Sequence, residues 1–117
     1  MNDQPPLIRQ ALALKREIPT GCILCVKVGD FYKIFGEDAT IAAPICGITL
    51  TNRGGVAMCG FPTCAVNTYL AKFVRCGKSV ALADEMACIR RGSIIRREVT
   101  RVITPGTAVE EVSACGV

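Results

Sequence analysis

The chain contains no histidine and no tryptophan. Without His, the usual base for a Ser or Cys nucleophile is missing, so nucleophilic catalysis is not expected. The same absence narrows the options for zinc. Cys22-x-x-Cys25 has ligand-like spacing, but no second Cys-x-x-Cys accompanies it and a tetrahedral site needs four donors. A redox role is not expected for the pair either, because nothing like a thioredoxin active-site loop surrounds it. Phosphate-binding glycine loops are also lacking: "TNRGGVAMCG" has neither the Walker spacing with its Lys nor the dinucleotide fingerprint. No apolar run approaches the roughly 20 residues that span a bilayer, and "MNDQPPLIRQ" lacks a basic segment followed by an apolar one. A cytoplasmic protein without membrane contact, cofactor or metal is the expectation.

What is present suits a folded module. Half of the 117 residues are apolar and 21% are charged, the balance of a globular chain long enough for one domain. Residues 1–107 are read as that single module and 108–117, "AVEEVSACGV" included, as a loosely held tail. The eight cysteines, in a chain with no secretory start, are read as reduced thiols packed as small hydrophobes. Fourteen Lys and Arg against ten Asp and Glu leave a net charge of +4, which permits an anionic partner without requiring one.

The apolar spacing from Pro6 to Glu17 predicts a helix that ends before Pro19. "CILCVKV" reads as a mostly buried strand interrupted by Gly29-Asp30. "EDATIAAPICG", with acids at its start and Ile41, Ala42 and Ile45 at helical spacing, predicts a short helix that stops or kinks at Pro44. Residues 48–60 read as a β-hairpin turning at "NRGG". The clearest helix is "TCAVNTYLAKFVRCG", with one apolar stripe, a cap at Thr63 and an end at Gly77. "SVALAD" and "IIRREVTRVIT" follow as strands on either side of a basic turn, "IRRGS". The fold class is α+β, a mixed β-sheet flanked by helices.

Two constellations remain to be weighed. Asp30, Glu37, Asp38, Asp84 and Glu85 are the carboxylates available to hold Mg²⁺ for a nuclease, but no spacing forces them together. Glu37 and Asp38 are more simply helix-start acids, and Asp84-Glu85 a strand end at the surface. The cations Arg53, Lys72, Arg75, Lys78, Arg90, Arg91, Arg96, Arg97 and Arg101 suit phosphate contacts, although a solvated face explains any single one equally well. A stacking residue is what turns a basic surface into a recognition site. Adjacent Phe31 and Tyr32 point to opposite faces of an extended segment, so Tyr32 and Ile34 are placed inward and Phe31 and Lys33 outward. An exposed aromatic beside a Lys can stack on bases or wedge between them.

At "GDFYKIFGEDA", "ITLTNRGG", "MCGFPTCAVNTYLAKFVRCGKSVALADE" and "RREVTRVITPGT", in that order, the sequence resembles the N-terminal mismatch-recognition domain, domain I, of the MutS DNA mismatch-repair family. The resemblance runs from about Ile8 to Thr107. It implies the MutS domain I fold and a Phe-x-Glu motif that enters the minor groove at a mispair. Phe31 matches the Phe, whereas Lys33 stands where the family has Glu. Lys cannot accept a hydrogen bond, so the match supports stacking and removes the acceptor. Gly60-Phe61-Pro62-Thr63-Cys64-Ala65 also lacks the family's Tyr and His, Asp84-Glu85 stands for an acid-amide pair, and Pro44 falls inside a helix that the family makes continuous.

The expected function is non-enzymatic DNA binding without the family's ATPase and clamp domains. Its expected partner is double-stranded DNA, mismatched or looped, met by Phe31, Lys33, Arg53, Arg90, Arg91, Arg96 and Arg97. The competing expectation is a protein-interaction module that regulates mismatch-repair proteins and has lost selective DNA recognition.

Overall fold

The computed structural model describes residues 5–91 and 94–105, with side chains at 5–86 and 95–105. The tip of the expected basic turn, Gly106, Thr107 and the expected tail at 108–117 lie outside the described residues.

Helix α1 (Pro6–Lys15) starts with Pro where a missing N–H costs nothing, and buries Ile8, Ala11 and Leu14. Strand β1 (Cys22–Val28) turns directly into β2 (Phe31–Phe35), pairing Val28 with Phe31. Gly29-Asp30 is therefore a two-residue hairpin turn rather than a simple interruption. Positive φ at Gly29 alone is the pattern of a type II′ turn, whose twist matches that of the strands.

Helix α2 (Glu37–Cys46) runs through Pro44 and ends at a left-handed Gly47. The expected break at Pro44 does not occur. Pro44 and Thr40, whose carbonyl loses its partner to the proline ring, are both exposed, so water can satisfy that carbonyl. The buried positions are Ala39, Ala42, Ala43 and Cys46, a row of small residues that lets the helix lie close to the sheet. Ile41 is exposed on the other side of the helix.

The hairpin of β3 (Thr51–Arg53) and β4 (Val56–Pro62) turns at Gly54-Gly55. Both glycines have positive φ, as a type I′ turn requires. Ile48 to Leu50 precede the strand, so it is shorter than expected. A 3-10 turn (Thr63–Ala65) leads into α3 (Val66–Arg75). That extra turn moves the start of α3 beyond Thr63, whose side chain caps nothing; its backbone N–H instead donates to the Asp30 carbonyl at 2.8 Å. Past α3, Gly77 and Lys78 donate to the Val74 and Phe73 carbonyls in the pattern of a Schellman motif.

Strands β5 (Ser79–Arg91) and β6 (Ile94–Ile103) form a long antiparallel pair. Arg90 and Arg91, expected in a turn, are strand residues paired with Ile95 and Ile94, and Asp84-Glu85 stands within β5 rather than at its end. The sheet order is β3-β4-β2-β1-β5-β6, with β1 and β5 parallel and the other neighbours antiparallel. This is the expected α+β class.

The sheet divides the core in two. On one face Ile23, Cys25, Tyr32, Ile34, Phe61, Val80 and Leu82 pack with α2 and α3; on the other Leu24, Val26, Phe35, Ala81 and Ala83 pack with α1. The Phe61 ring stacks on Tyr69 at 4.6 Å between centroids and meets Tyr32 at 5.8 Å.

Gly60 lies opposite Lys33 in the β2–β4 ladder. A Cβ there would stand 2.8 Å from the Tyr32 carbonyl oxygen and 3.5 Å from Lys33 Cα, a clash with backbone that has no rotamer to relieve it. Gly60→Ala is expected to destabilise the protein by about 1–3 kcal/mol. A lowered urea midpoint with an unchanged m-value would register it.

Candidate nucleic-acid interface

Phe31, Lys33 and Phe35 share one face of β2, but they do not share an environment. Phe35 is buried in the cluster under α1, whereas Phe31 is 46% exposed and belongs to neither cluster. Its neighbours across the strands are half-buried Val28 and exposed Pro62, which the sequence reading did not single out. The alternation placed Tyr32 and Ile34 inward, and both are buried. Lys33 is half-buried beside Gly60, and among the described residues no carboxylate pairs with it. An aromatic edge and an unpaired cation thus stand about 7 Å apart along one strand.

The remaining cations are dispersed. Arg53 lies on the same face as Phe31, but six rungs along the ladder, which is about 20 Å away. Exposed Arg96 pairs with half-buried Glu98, a residue opposite Asp84 and so on the α2–α3 face. The side chains of Arg90 and Arg91 lie outside the described residues. Arg97 does not fit the expectation of a surface phosphate contact. Its side chain is 5% exposed, bridges to Glu85 at 3.1 Å and donates to Lys27 O, Gln10 Oε1 and Ile95 O at 2.6, 2.9 and 3.1 Å.

Three of the acids, Asp38, Asp84 and Glu85, are likewise committed to the fold, whereas Asp30 and Glu37 are exposed. Asp38, in the first turn of α2, pairs with Lys15 at 2.9 Å and accepts the Leu24 N–H at 3.1 Å. Asp84 accepts from the Tyr32 hydroxyl at 2.7 Å and from Thr100 at 2.5 Å. Burial, then this hydrogen bond, raises the Tyr32 pKa above the ordinary tyrosine value. Among the described residues no group of three or more His, Cys, Asp or Glu is placed to hold a metal ion, and no helix is long and apolar enough to cross a membrane.

Cys22 and Cys25 belong to opposite faces of β1, Cys22 under α1 and Cys25 under α2 and α3. Three residues apart on a strand, they cannot chelate one ion or close one disulfide. Cys22, Cys25, Cys46 and Cys59 are free and buried, while Cys64 and Cys76 are free and exposed.

The fold and this surface define a class: an α+β module whose sheet, sealed on both faces through its middle, leaves an exposed aromatic with a half-buried cation two residues along beside a hairpin turn. Known proteins supply the family. The model described as MutS domain I matches residues 5–112. The DNA mismatch repair protein MutS of Flavobacterium johnsoniae is 42% identical over 114 residues, covering 92% of this chain and 13% of that protein. The protein of the same name from Thermotoga maritima is 45% identical over 107 residues, with 91% and 13% covered; that from Treponema pallidum is 39% identical over 106, with 91% and 12% covered. The chain belongs to the MutS domain I family, and it spans about an eighth of the length of these curated relatives. The unbroken α2 fits the continuous helix that the family resemblance implied, despite Pro44.

Burial pushes the Cys46 and Cys59 thiols from 9.0 up to about 11, against Lys72 in the case of Cys46. Below pH 9 both the folded and unfolded chains hold these protons, so the stabilisation is complete. As pH rises through 9 the unfolded chain releases them first, and stability is expected to fall progressively until about pH 11. Urea midpoints across that range, compared with those of a Cys46→Ala, Cys59→Ala double variant whose decline is shallower, test the assignment.

Proposed function

We propose that this chain is a non-enzymatic DNA-contact module of the mismatch-repair type, in which Phe31 stacks on a base at a mismatched or distorted step while Lys33 meets the adjoining backbone. The observation that carries the reading is the exposure of Phe31 beside Lys33, on a sheet whose other large side chains on that strand are buried. An exposed Phe ring offers a sequence-tolerant stacking surface, and an ammonium two residues away adds attraction for phosphate or for base acceptors. Membership of the MutS domain I family, and the relatives' name as DNA mismatch repair proteins, support the same reading.

Arg53 serves as a more distant backbone contact, spaced from Phe31 by about six base pairs' rise. Arg96, on the opposite face, and Arg97, buried, are left out of the contact set; Arg97 is structural. Arg90 and Arg91, backbone members of β5, are kept in the proposed contact set on their charge alone.

The test is a fluorescence titration of perfect, mispaired and looped duplexes at low and moderate salt. Phe31→Ala is expected to weaken binding to the mispaired duplex about tenfold. Lys33→Glu is expected to lower affinity for every duplex, to reduce the salt slope by about 1, and to raise the ratio of mispaired to perfect binding. Equal binding by wild type and Phe31→Ala on every duplex would remove Phe31 from the mechanism and leave the protein-interaction reading in its place.

A further inference from the structure

The turn that carries Phe31 is gripped from both faces of the sheet by two adjacent residues of β5. On the α2–α3 face Asp84 accepts from the Tyr32 hydroxyl at 2.7 Å. On the α1 face Glu85 Oε2 accepts the Gly29 N–H at 3.1 Å. Gly29 is the first central residue of the hairpin turn, where the backbone N–H has no partner within the turn itself. The same Glu85 oxygen receives Arg97 Nη2 at 3.1 Å, and Arg97 Nε donates to the carbonyl of Lys27, on the strand leading into the turn, at 2.6 Å. Gln10 of α1 and the Ile95 carbonyl hold the guanidinium on its other side.

We infer that Glu85, fixed in place by Arg97, is a positioning residue for Phe31: it sets the β1–β2 turn so that the ring stands out at one angle when DNA arrives. This inference rests on the proposed role of Phe31 in DNA contact. Stability alone does not call for the Gly29 bond, because Gly29 is exposed and water would satisfy its amide equally well. What a fixed carboxylate adds over water is direction. The turn then has one geometry instead of several, and a stack that needs a defined ring plane loses less entropy on forming.

Both contacts use one oxygen of Glu85, so the carbonyl of a Gln can replace it in both. Glu85→Gln is therefore expected to bind a mispaired duplex as wild type does, and Glu85→Ala about fivefold more weakly. In a Phe31→Ala background the same Glu85→Ala change is expected to have no further effect. A residue that matters only for folding would lower binding in both backgrounds equally. Since Glu85→Ala leaves the buried Arg97 charge uncompensated, the pair Glu85→Ala, Arg97→Met is made alongside it, removing both charges together. It is expected to fold and to show the same Phe31-dependent loss.

Amide hydrogen exchange at Gly29 gives a second readout, faster in both Ala variants and unchanged in Glu85→Gln. Binding that is unaltered in the Ala variants while Phe31→Ala weakens it overturns the positioning role and leaves the stacking role standing. Equal losses in both Phe31 backgrounds overturn it too, as does tighter binding on removing the carboxylate. No change with Phe31→Ala itself means that the underlying DNA-contact reading has failed.

Discussion

Burial of β1 on both faces is the constraint from which the rest follows. Cys22 to Val26 are buried without a break, so the strand must be covered from either side. Helices α2 and α3 cover one side and α1 alone covers the other. A ten-residue helix is about 15 Å long, and along β2 its cluster takes in Phe35 but not Phe31, four residues away on the same face. One helix cannot seal that face. The part it leaves open is where Val28, Phe31, Lys33 and Pro62 stand, so the exposed aromatic is a consequence of unequal cover on the two sides of one sheet.

That inequality decides how much the sequence could reveal. The division of Phe31 from Tyr32 was legible because a strand's period of two separates adjacent residues whatever surrounds them. Gly54-Gly55 was legible as a turn and α3 as a helix for similarly local reasons. The helix through Pro44 was not, because its tolerance depends on which carbonyls reach water. Nor was the fate of the arginines. Arg96 and Arg97 fall on opposite faces by the same period of two, but only the register of β6 against β5, shifted at Leu82/Ala83 and again between Glu85 and Arg90, decides that Arg97 is the one that meets Glu85 in the interior. A cluster of basic letters in a strand therefore overstates the charge available on either face.

The same register explains why Asp84-Glu85 does more than end a strand. Adjacent residues in β5 emerge on opposite faces, and the hairpin of β1 and β2 lies close enough for both to reach it. One adjacent acidic pair can thus restrain a turn from two sides, which a pair on a helix, lying on one face or pointing away from it, could not.

Holding a Phe half in water forgoes part of the roughly 1.5–3 kcal/mol that complete burial of such a side chain provides. Tyr32, one residue along, recovers stability on the other face through burial, its contact with Phe61 and its bond to Asp84. Rigidity and exposure thus come from the same strand. On the proposed reading this combination also bears on selectivity. Lys33 attracts DNA of any sequence and accepts no hydrogen bond, so it cannot supply the acceptor contact that would single out a mispair. A rigid stacking ring can still single one out through the DNA: inserting beside a base costs unstacking energy, and a mismatched step, already poorly stacked, costs least. Discrimination then rests on deformability at the step that the ring meets, and the better the turn holds Phe31, the more of that difference appears in binding.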